Sequence, residues 1–412
     1  MRCIVDGELV LSRPLEGPLS PHIAAFAAWA REQGYALPSR YQRVLLAACF
    51  SRWLGRRVVS LRQVCAEHLV QYLRSRARRL QIHRGDAAAL RQFIEFLRRE
   101  GVIPAEKMPS CRLSPVEREA QAFKAYLRSD RALAETTIAY YVRFIRAFLT
   151  DRFGNGRATL SRLCAGDVVR FVQRQAPRLH QRYAKLLTTA LRSFLRYTRY
   201  RGDTATDLAA AVPCVANWSM TSIPKAIPPQ AVRQLLASID RRTPGGRRDY
   251  AILLLLARLG LRASEVVFLE LGDIDWAAGQ LSVRGKGGQQ TALPLSAEVG
   301  GAIASYLRHG RQRSTSRRVF LRIRAPISGF VGPVAIASLV RHTLVRAGIK
   351  SPTKGAHQFR HVLAMRMLRR GASLTEIGDV LRHRSPQTTT IYAKVDLDAL
   401  RPLALPWPGG AR

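Results

Sequence analysis

His357-Gln358-Phe359-Arg360-His361 spaces two imidazoles and a guanidinium at i, i+3 and i+4, which a helix brings onto one face. Crowding potential cations in this way is costly unless an anion lies between them. Downstream, Leu381-Arg382-His383-Arg384-Ser385 closes an apolar helix, and nine residues beyond His383 comes Tyr392, within Thr389-Thr390-Ile391-Tyr392-Ala393. Upstream, the apolar helix expected over 250–259 breaks at Gly260, and Gly260-Leu261-Arg262-Ala263-Ser264-Glu265 follows. Arg262 and Glu265, at i and i+3, share a helix face, so the carboxylate can hold the guanidinium fork for bidentate grip on a phosphate. Between these stretches, Gly279-Gln280-Leu281-Ser282-Val283-Arg284 and Thr291-Ala292-Leu293-Pro294-Leu295 flank Gly285-Lys286-Gly287-Gly288. Short strands around a glycine-rich turn predict a β-hairpin with Lys286 at its tip.

The charge pattern narrows the chemistry. Residues 299–375 contain no Asp or Glu but fifteen Lys and Arg, whereas a solvated face normally mixes signs. Such a stretch is built to meet phosphate. Over all 412 residues, 67 Lys and Arg against 28 Asp and Glu leave a net charge of +39, which points to a polyanionic partner, nucleic acid first. The 47% hydrophobic content fills cores in two or three domains and argues against a disordered chain. No apolar run approaches the roughly 18 residues of a transmembrane helix. Asp6 comes too early for a secretory signal. Phosphoryl transfer through two metal ions needs grouped carboxylates. The candidates, Asp273-Ile274-Asp275 and Asp396-Leu397-Asp398, read more simply as turns or helix ends. The expectation is a reaction carried by positive side chains, with no metal and no cofactor. Six cysteines occur without a Cys-x-x-Cys pair, and Cys65 and Cys164 lie in apolar helical patterns that suggest reduced core residues in a protein without disulfides.

The front half of the chain repeats itself. Ala25-Phe26-Ala27-Ala28-Trp29 is similar to Ala122-Phe123-Lys124-Ala125-Tyr126 at an offset of 97, and Leu61-Arg62-Gln63-Val64-Cys65-Ala66 to Leu160-Ser161-Arg162-Leu163-Cys164-Ala165 at 99. Ala89-Leu90-Arg91-Gln92-Phe93 matches Ala190-Leu191-Arg192-Ser193-Phe194 at 101, where Gly101 also falls on Gly202. Preserved order with small drift predicts a duplicated helical domain, each copy a bundle of four or five helices with an arginine-rich face. Thr136-Thr137 and Thr159 offer cap hydroxyls. Residues 206–225 read as an extended linker, Pro229 opens a new helix, and the proline-rich tail from 401 cannot continue one far.

The order G-L-R-x-S-E, G-K-G-G, H-x-F-R-H, L-x-H-x-S and then tyrosine resembles the catalytic domain of the tyrosine recombinase (phage integrase) family across about 226–396. The resemblance implies a mainly α-helical protein with a small β-sheet, in which helical core-binding domains precede an α+β catalytic domain. The division expected is an N-terminal helical domain over 1–110 that duplicates the core-binding module, the core-binding domain over 111–205, the linker over 206–225, the catalytic domain over 226–400 and a tail over 401–412.

By the same resemblance, Tyr392 is the nucleophile that leaves a 3′-phosphotyrosine and a free 5′-hydroxyl. Arg262 and Arg360 clamp the non-bridging oxygens, and Lys286 protonates the departing 5′-oxygen. His357 assists the tyrosine proton, His383 hydrogen-bonds a phosphate oxygen, and Glu265 and His361 support the site, His361 by structural hydrogen bonding. The chain departs from the family at Gln289, Gln290 and Thr291, where further basic residues are usual, and at Arg382, where a glycine is usual. The implied partner is duplex DNA bound by a homotetramer, with or without partner recombinases, in the bacterial cytoplasm at the nucleoid and away from membranes. The element moved is a phage, a transposon or another cassette, and the enlarged front end looks more like the transposon-associated members. A type IB topoisomerase shares the chemistry but only relaxes supercoils, and a regulator derived from the fold would lack a catalytic group.

Overall fold

The structure is a computed structural model that describes residues 3–5, 9–78, 80–81, 83, 85–104, 113–154, 156–215, 226–285, 290–351, 353, 355–395 and 400. It opens on a short antiparallel pair, β1 (Cys3–Val5) with β2 (Leu9–Leu11), which the sequence pattern did not reveal because each strand is only three residues long. Four helices follow: α1 (Ile23–Glu32), α2 (Leu37–Gly55), α3 (Ala66–Ala77) and α4 (Asp86–Arg99). Phe26, Phe50, Phe93 and Leu97 form the centre of their core. A second bundle comprises α5 (Pro115–Ser129), α6 (Glu135–Phe153), α7 (Ala165–Gln175) and α8 (Gln181–Tyr200) around Phe123, Phe148, Phe171 and Phe194.

The two bundles correspond element by element. α2 and α6 are both 19 residues long, and a 3-10 turn (Leu61–Gln63, Leu160–Arg162) precedes the third helix of each. The aromatic contacts repeat too. Phe26 meets Phe93 at 4.7 Å between ring centroids, as Phe123 meets Phe194 at 5.2 Å. Phe50 meets Tyr72 at 5.3 Å, as Phe148 meets Phe171 at 5.2 Å. Each fourth helix then stops at a left-handed glycine, Gly101 at φ 71° and Gly202 at φ 79°, a conformation that glycine adopts without steric penalty.

Three sequence expectations are corrected. Cys65 and Cys164 are not core residues: each occupies the cap position before the third helix, Cys65 half-buried with its Sγ 3.1 Å from His68 Nδ1, and Cys164 exposed. Thr136 and Thr137 lie inside the first turn of α6, which begins after Ala134 without a side-chain cap, and Thr159 precedes its 3-10 turn without capping it. Leu208, Ala209 and Val212, read from sequence as linker, are buried in the second core, because small and apolar residues there find a packing surface.

The remaining described residues build a mixed domain. α9 (Pro229–Ala237) and α10 (Pro244–Arg258) come first; α10 starts six residues before the sequence pattern suggested, because the Thr243 hydroxyl caps Gly246 N–H at 3.0 Å and Pro244 suits the first turn. Residues 251–256 of α10 are all buried, so this helix is apolar on every side and runs through the core. After α11 (Ala263–Phe268), β3 (Ile274–Asp275), β4 (Gln280–Arg284) and β5 (Gln290–Pro294) make an antiparallel sheet in that order, with Val283 opposite Thr291. α12 (Ala297–His309), α13 (Pro333–Arg346), α14 (His357–Leu368) and α15 (Leu374–Leu381) complete the helices, and a 3-10 stretch, Thr390–Val395, carries Tyr392. Among the described residues no helix is long and apolar enough to cross a membrane.

Candidate active site

Gly260 ties three of these elements together. At φ +57° it turns the chain out of α10, and a Cβ there would lie 2.9 Å from Leu363 on α14 and 3.0 Å from Leu381 on α15. A residue without a side chain takes this left-handed turn freely and spares both leucine methyls as α14 and α15 close on the start of α11. Arg360, on α14, is 1% exposed and donates to the carbonyls of Gly260 and Leu381. Its guanidinium thus pins the same junction that the missing side chain opens.

Arg262 precedes α11 and is fixed by Glu265. The carboxylate accepts from Arg262 Nη1 at 2.7 Å and from its backbone N–H at 2.9 Å, while Arg262 Nη2 reaches the Arg382 carbonyl at 2.9 Å. The i,i+3 pairing expected from sequence is therefore present, with Glu265 itself buried. Arg382 also donates to Glu265, from Nη2 to Oε2 at 2.9 Å. Two guanidinia thus share one carboxylate, while Arg360 bonds backbone carbonyls beside them. Burial and the charges of Arg262 and Arg382 pull the pKa of Arg360 down to about 10.

Next to these cations lie three imidazoles and the phenol. His357 and His361, one turn apart on α14, meet edge to face with ring centroids 4.7 Å apart. His361 Nδ1 is 3.0 Å from Tyr392 Oη. His383, just past α15, pairs through Nδ1 with the Thr389 hydroxyl at 2.7 Å. Burial and neighbouring cations push His361 and His383 down to about 4, so both imidazoles are neutral near pH 7. The His357 ring reaches the surface, yet the protein packed around it and the Arg360 and Arg262 charges hold it below the ordinary histidine range. Tyr392 is 2% exposed among Leu363, Ala364, Ile377 and Leu381. Burial raises its pKa to about 12, against the pull of Arg360. As it stands the phenol is protonated and shielded.

The structure thus gathers Arg262, Glu265, His357, Arg360, His361, His383 and Tyr392, separated by up to 130 residues of chain, around one junction. Lys286 lies outside the described residues; β4 and β5 bracket it. The contact with the tyrosine falls to His361, where the sequence reading gave the proton transfer to His357. Arg382 and Thr389 were not foreseen as parts of the network; the signal for Arg382 was its place where the family carries glycine. Asp273 and Asp275 act as turn residues, accepting the backbone N–H groups of Glu270 and Ala278, each at 2.8 Å. Asp396 and Asp398 fall outside the described residues. Among the described residues no group of three or more His, Cys, Asp or Glu is arranged to hold a metal ion.

Helical bundles ahead of a small-sheet domain, with a tyrosine facing arginines and histidines from three elements, define the class: a tyrosine recombinase. The chain belongs to the phage integrase family, whose model matches residues 225–398, and it is a tyrosine-type site-specific recombinase. It is 56% identical, over the whole of both chains, to y4rA of Sinorhizobium fredii (strain NBRC 101917 / NGR234), whose name designates it an integrase/recombinase. It is 27% identical to the tyrosine recombinase XerC of Oceanobacillus iheyensis, over 70% of this chain and 95% of that one. Among solved structures the fold is shared with the XerH site-specific recombinase bound to palindromic difH substrate in a post-cleavage complex (TM-score 0.56, 17% identity, 69% of this chain and 83% of that one). It is also shared with a lambda integrase tetramer bound to a Holliday junction (TM-score 0.52, 15% identity, 75% and 88%).

Proposed function

We propose that this chain cuts and rejoins duplex DNA through Tyr392, without ATP, in the integration, excision or transposition of a mobile element. Tyr392 Oη attacks the scissile phosphorus, the bond to the 5′-oxygen breaks, and a 3′-phosphotyrosine and a 5′-hydroxyl result. Attack by a 5′-hydroxyl from the partner strand reverses the step and releases the tyrosine, so the phosphodiester bond energy is conserved. The observation that carries this reading is the contact of 3.0 Å between Tyr392 Oη and His361 Nδ1, in one site with the half-buried Arg262 and the buried Arg360.

The roles follow from charge and reach. Arg262 and Arg360 grip the non-bridging oxygens and stabilise the charge that grows on the pentavalent phosphorus. His361 takes the phenol proton, and His357, edge-on to it, orients the ring. In the free protein burial raises the phenol and lowers the imidazole, which leaves full proton transfer between them uphill. The proton therefore moves only as the new oxygen–phosphorus bond forms, and the charge of a bound phosphate raises the imidazole's basicity in the same step. His383, its Nδ1 held by Thr389, offers Nε2 to a phosphate oxygen. Lys286, in the segment between β4 and β5, protonates the departing 5′-oxygen.

In this reading residues 111–205 are the core-binding domain, 1–110 its duplicate, 226–400 the catalytic domain and 401–412 a tail. The working form is a homotetramer on two duplexes in the bacterial cytoplasm, at the nucleoid. The lambda integrase tetramer on a Holliday junction supports the assembly by analogy of fold. A nicked suicide substrate tests the chemistry. Wild-type protein accumulates a covalent DNA adduct, while Tyr392→Phe binds the DNA and forms none; an adduct from that variant overturns the assignment. Products with exchanged flanks, and not relaxed circles alone, separate recombination from topoisomerase action.

A further inference from the structure

Arg382 stands in a backbone conformation that disfavours it. It ends α15 at φ 55° and ψ 51°, the left-handed region, where its N–H bonds the Asp379 carbonyl at 2.9 Å and the following His383 N–H bonds Gly378 at 2.9 Å. Helices commonly close this way on glycine, because any side chain there strains against its own backbone. An arginine costs free energy that glycine would not, so its side chain has to contribute something.

That side chain is folded inward. It is 9% exposed, and Nη2 donates to Glu265 Oε2 while Arg262 Nη1 holds the other oxygen, Oε1. Nη1 is 3.3 Å from the Val380 carbonyl, and Nε is buried without a hydrogen-bond partner. Arg262 in turn donates to the backbone carbonyl of Arg382. One residue therefore fixes Arg262 twice, through its own carbonyl and through the carboxylate that Arg262 shares. We propose that Arg382 is a positioning residue for the phosphate clamp: it splits the two oxygens of Glu265 between two guanidinia, holds the carboxylate in one rotamer, and so keeps Arg262 aimed at the scissile phosphate. This rests on the reading of Arg262 as a phosphate ligand. A second consequence is electrostatic. With Arg382 taking up half of Glu265, the carboxylate neutralises Arg262 less, leaving more of that positive charge for the DNA.

Arg382→Gly makes a clean probe, since glycine adopts the left-handed turn freely and the fold is kept. Single-turnover adduct formation on the suicide substrate should fall about 10- to 100-fold, with DNA affinity within about threefold of wild type. Arg382→Lys, which keeps the charge but has no planar fork, should recover part of the rate. In a Glu265→Gln background the same Arg382→Gly change should cost less than about threefold, because the intermediary is already disabled. A wild-type rate for Arg382→Gly overturns the proposal. So does an undiminished effect in Glu265→Gln, which would mean that Arg382 acts on DNA directly. Inorganic phosphate supplies a readout without chemistry: it should raise the Tm of wild-type protein and raise that of Arg382→Gly less. If wild type forms no adduct, the reading of Tyr392 fails, while the phosphate arm still decides on Arg382; an equal rise in both proteins refutes it.

Discussion

Tyr392→Phe removes one oxygen, and the structure says what that oxygen does in the free protein. The hydroxyl is buried and lies 3.0 Å from His361 Nδ1, and the low pKa of the imidazole makes it a neutral acceptor. A neutral hydrogen bond of this kind has a net worth of about 1 kcal/mol. For a folding unit of this size that corresponds to about 2–4 °C in Tm. Differential scanning calorimetry of four proteins (wild type, Tyr392→Phe, His361→Ala and the double variant) isolates it, because the space left by the imidazole is common to both His361→Ala proteins and cancels. Tyr392→Phe should lower the transition of the catalytic unit by those few degrees in the wild-type background, and leave it unmoved or raise it when His361 is alanine and the buried hydroxyl has lost that partner. Equal shifts in the two backgrounds refute the contact, and a Tm that rises on loss of the hydroxyl in wild type would mean that the phenol is buried without a partner.

Three further outcomes are expected. Gly260→Ala places a methyl 2.9 Å from Leu363 at a left-handed turn, so it should destabilise the catalytic unit by about 1–3 kcal/mol and slow adduct formation; wild-type Tm and rate would contradict the packing argument. His361 and His383 titrate near 4 when folded and near 6.5 when unfolded. Their contribution is therefore complete above about pH 6.5 and is lost as pH falls towards 4; the Tm should drop across that window, and less steeply in His383→Gln. With a net charge of +39, DNA affinity should fall by about a thousandfold or more between roughly 50 and 200 mM salt, read as the slope of log Kd on log salt; a shallow slope would deny that phosphate contacts dominate.

Spacing carried much of this arrangement because the chemistry is local in sequence at each point. His357, Arg360 and His361 are one helical turn apart, and Arg262 with Glu265 another, so a helical period alone predicts who shares a face. The pairing of β4 with β5 is equally local, since a short glycine-rich stretch of sequence joins the two strands. What spacing does not hold is the meeting of elements over long separations. Nothing in the period of α14 says that His361, rather than His357, will face Tyr392, because that choice depends on how the 3-10 stretch Thr390–Val395 lies across the helix. The contact between Arg382 and Glu265 spans 117 positions and was visible only as an unexplained arginine where glycine is usual. Leu208, Ala209 and Val212 misled for the opposite reason: their composition is that of a spacer, and packing decided otherwise.

The matched aromatic geometry of the two bundles sets a hazard for the chain while it acquires its shape. α4 delivers Phe93 and Phe96 to the first core with the spacing by which α8 delivers Phe194 and Tyr197 to the second. By aromatic spacing alone the two helices are not told apart. A chain released all at once from denaturant meets two acceptors for every such helix, and mispaired, aggregation-prone intermediates follow. Emergence from the ribosome removes the ambiguity, since the first bundle closes while its rival helix is still unmade.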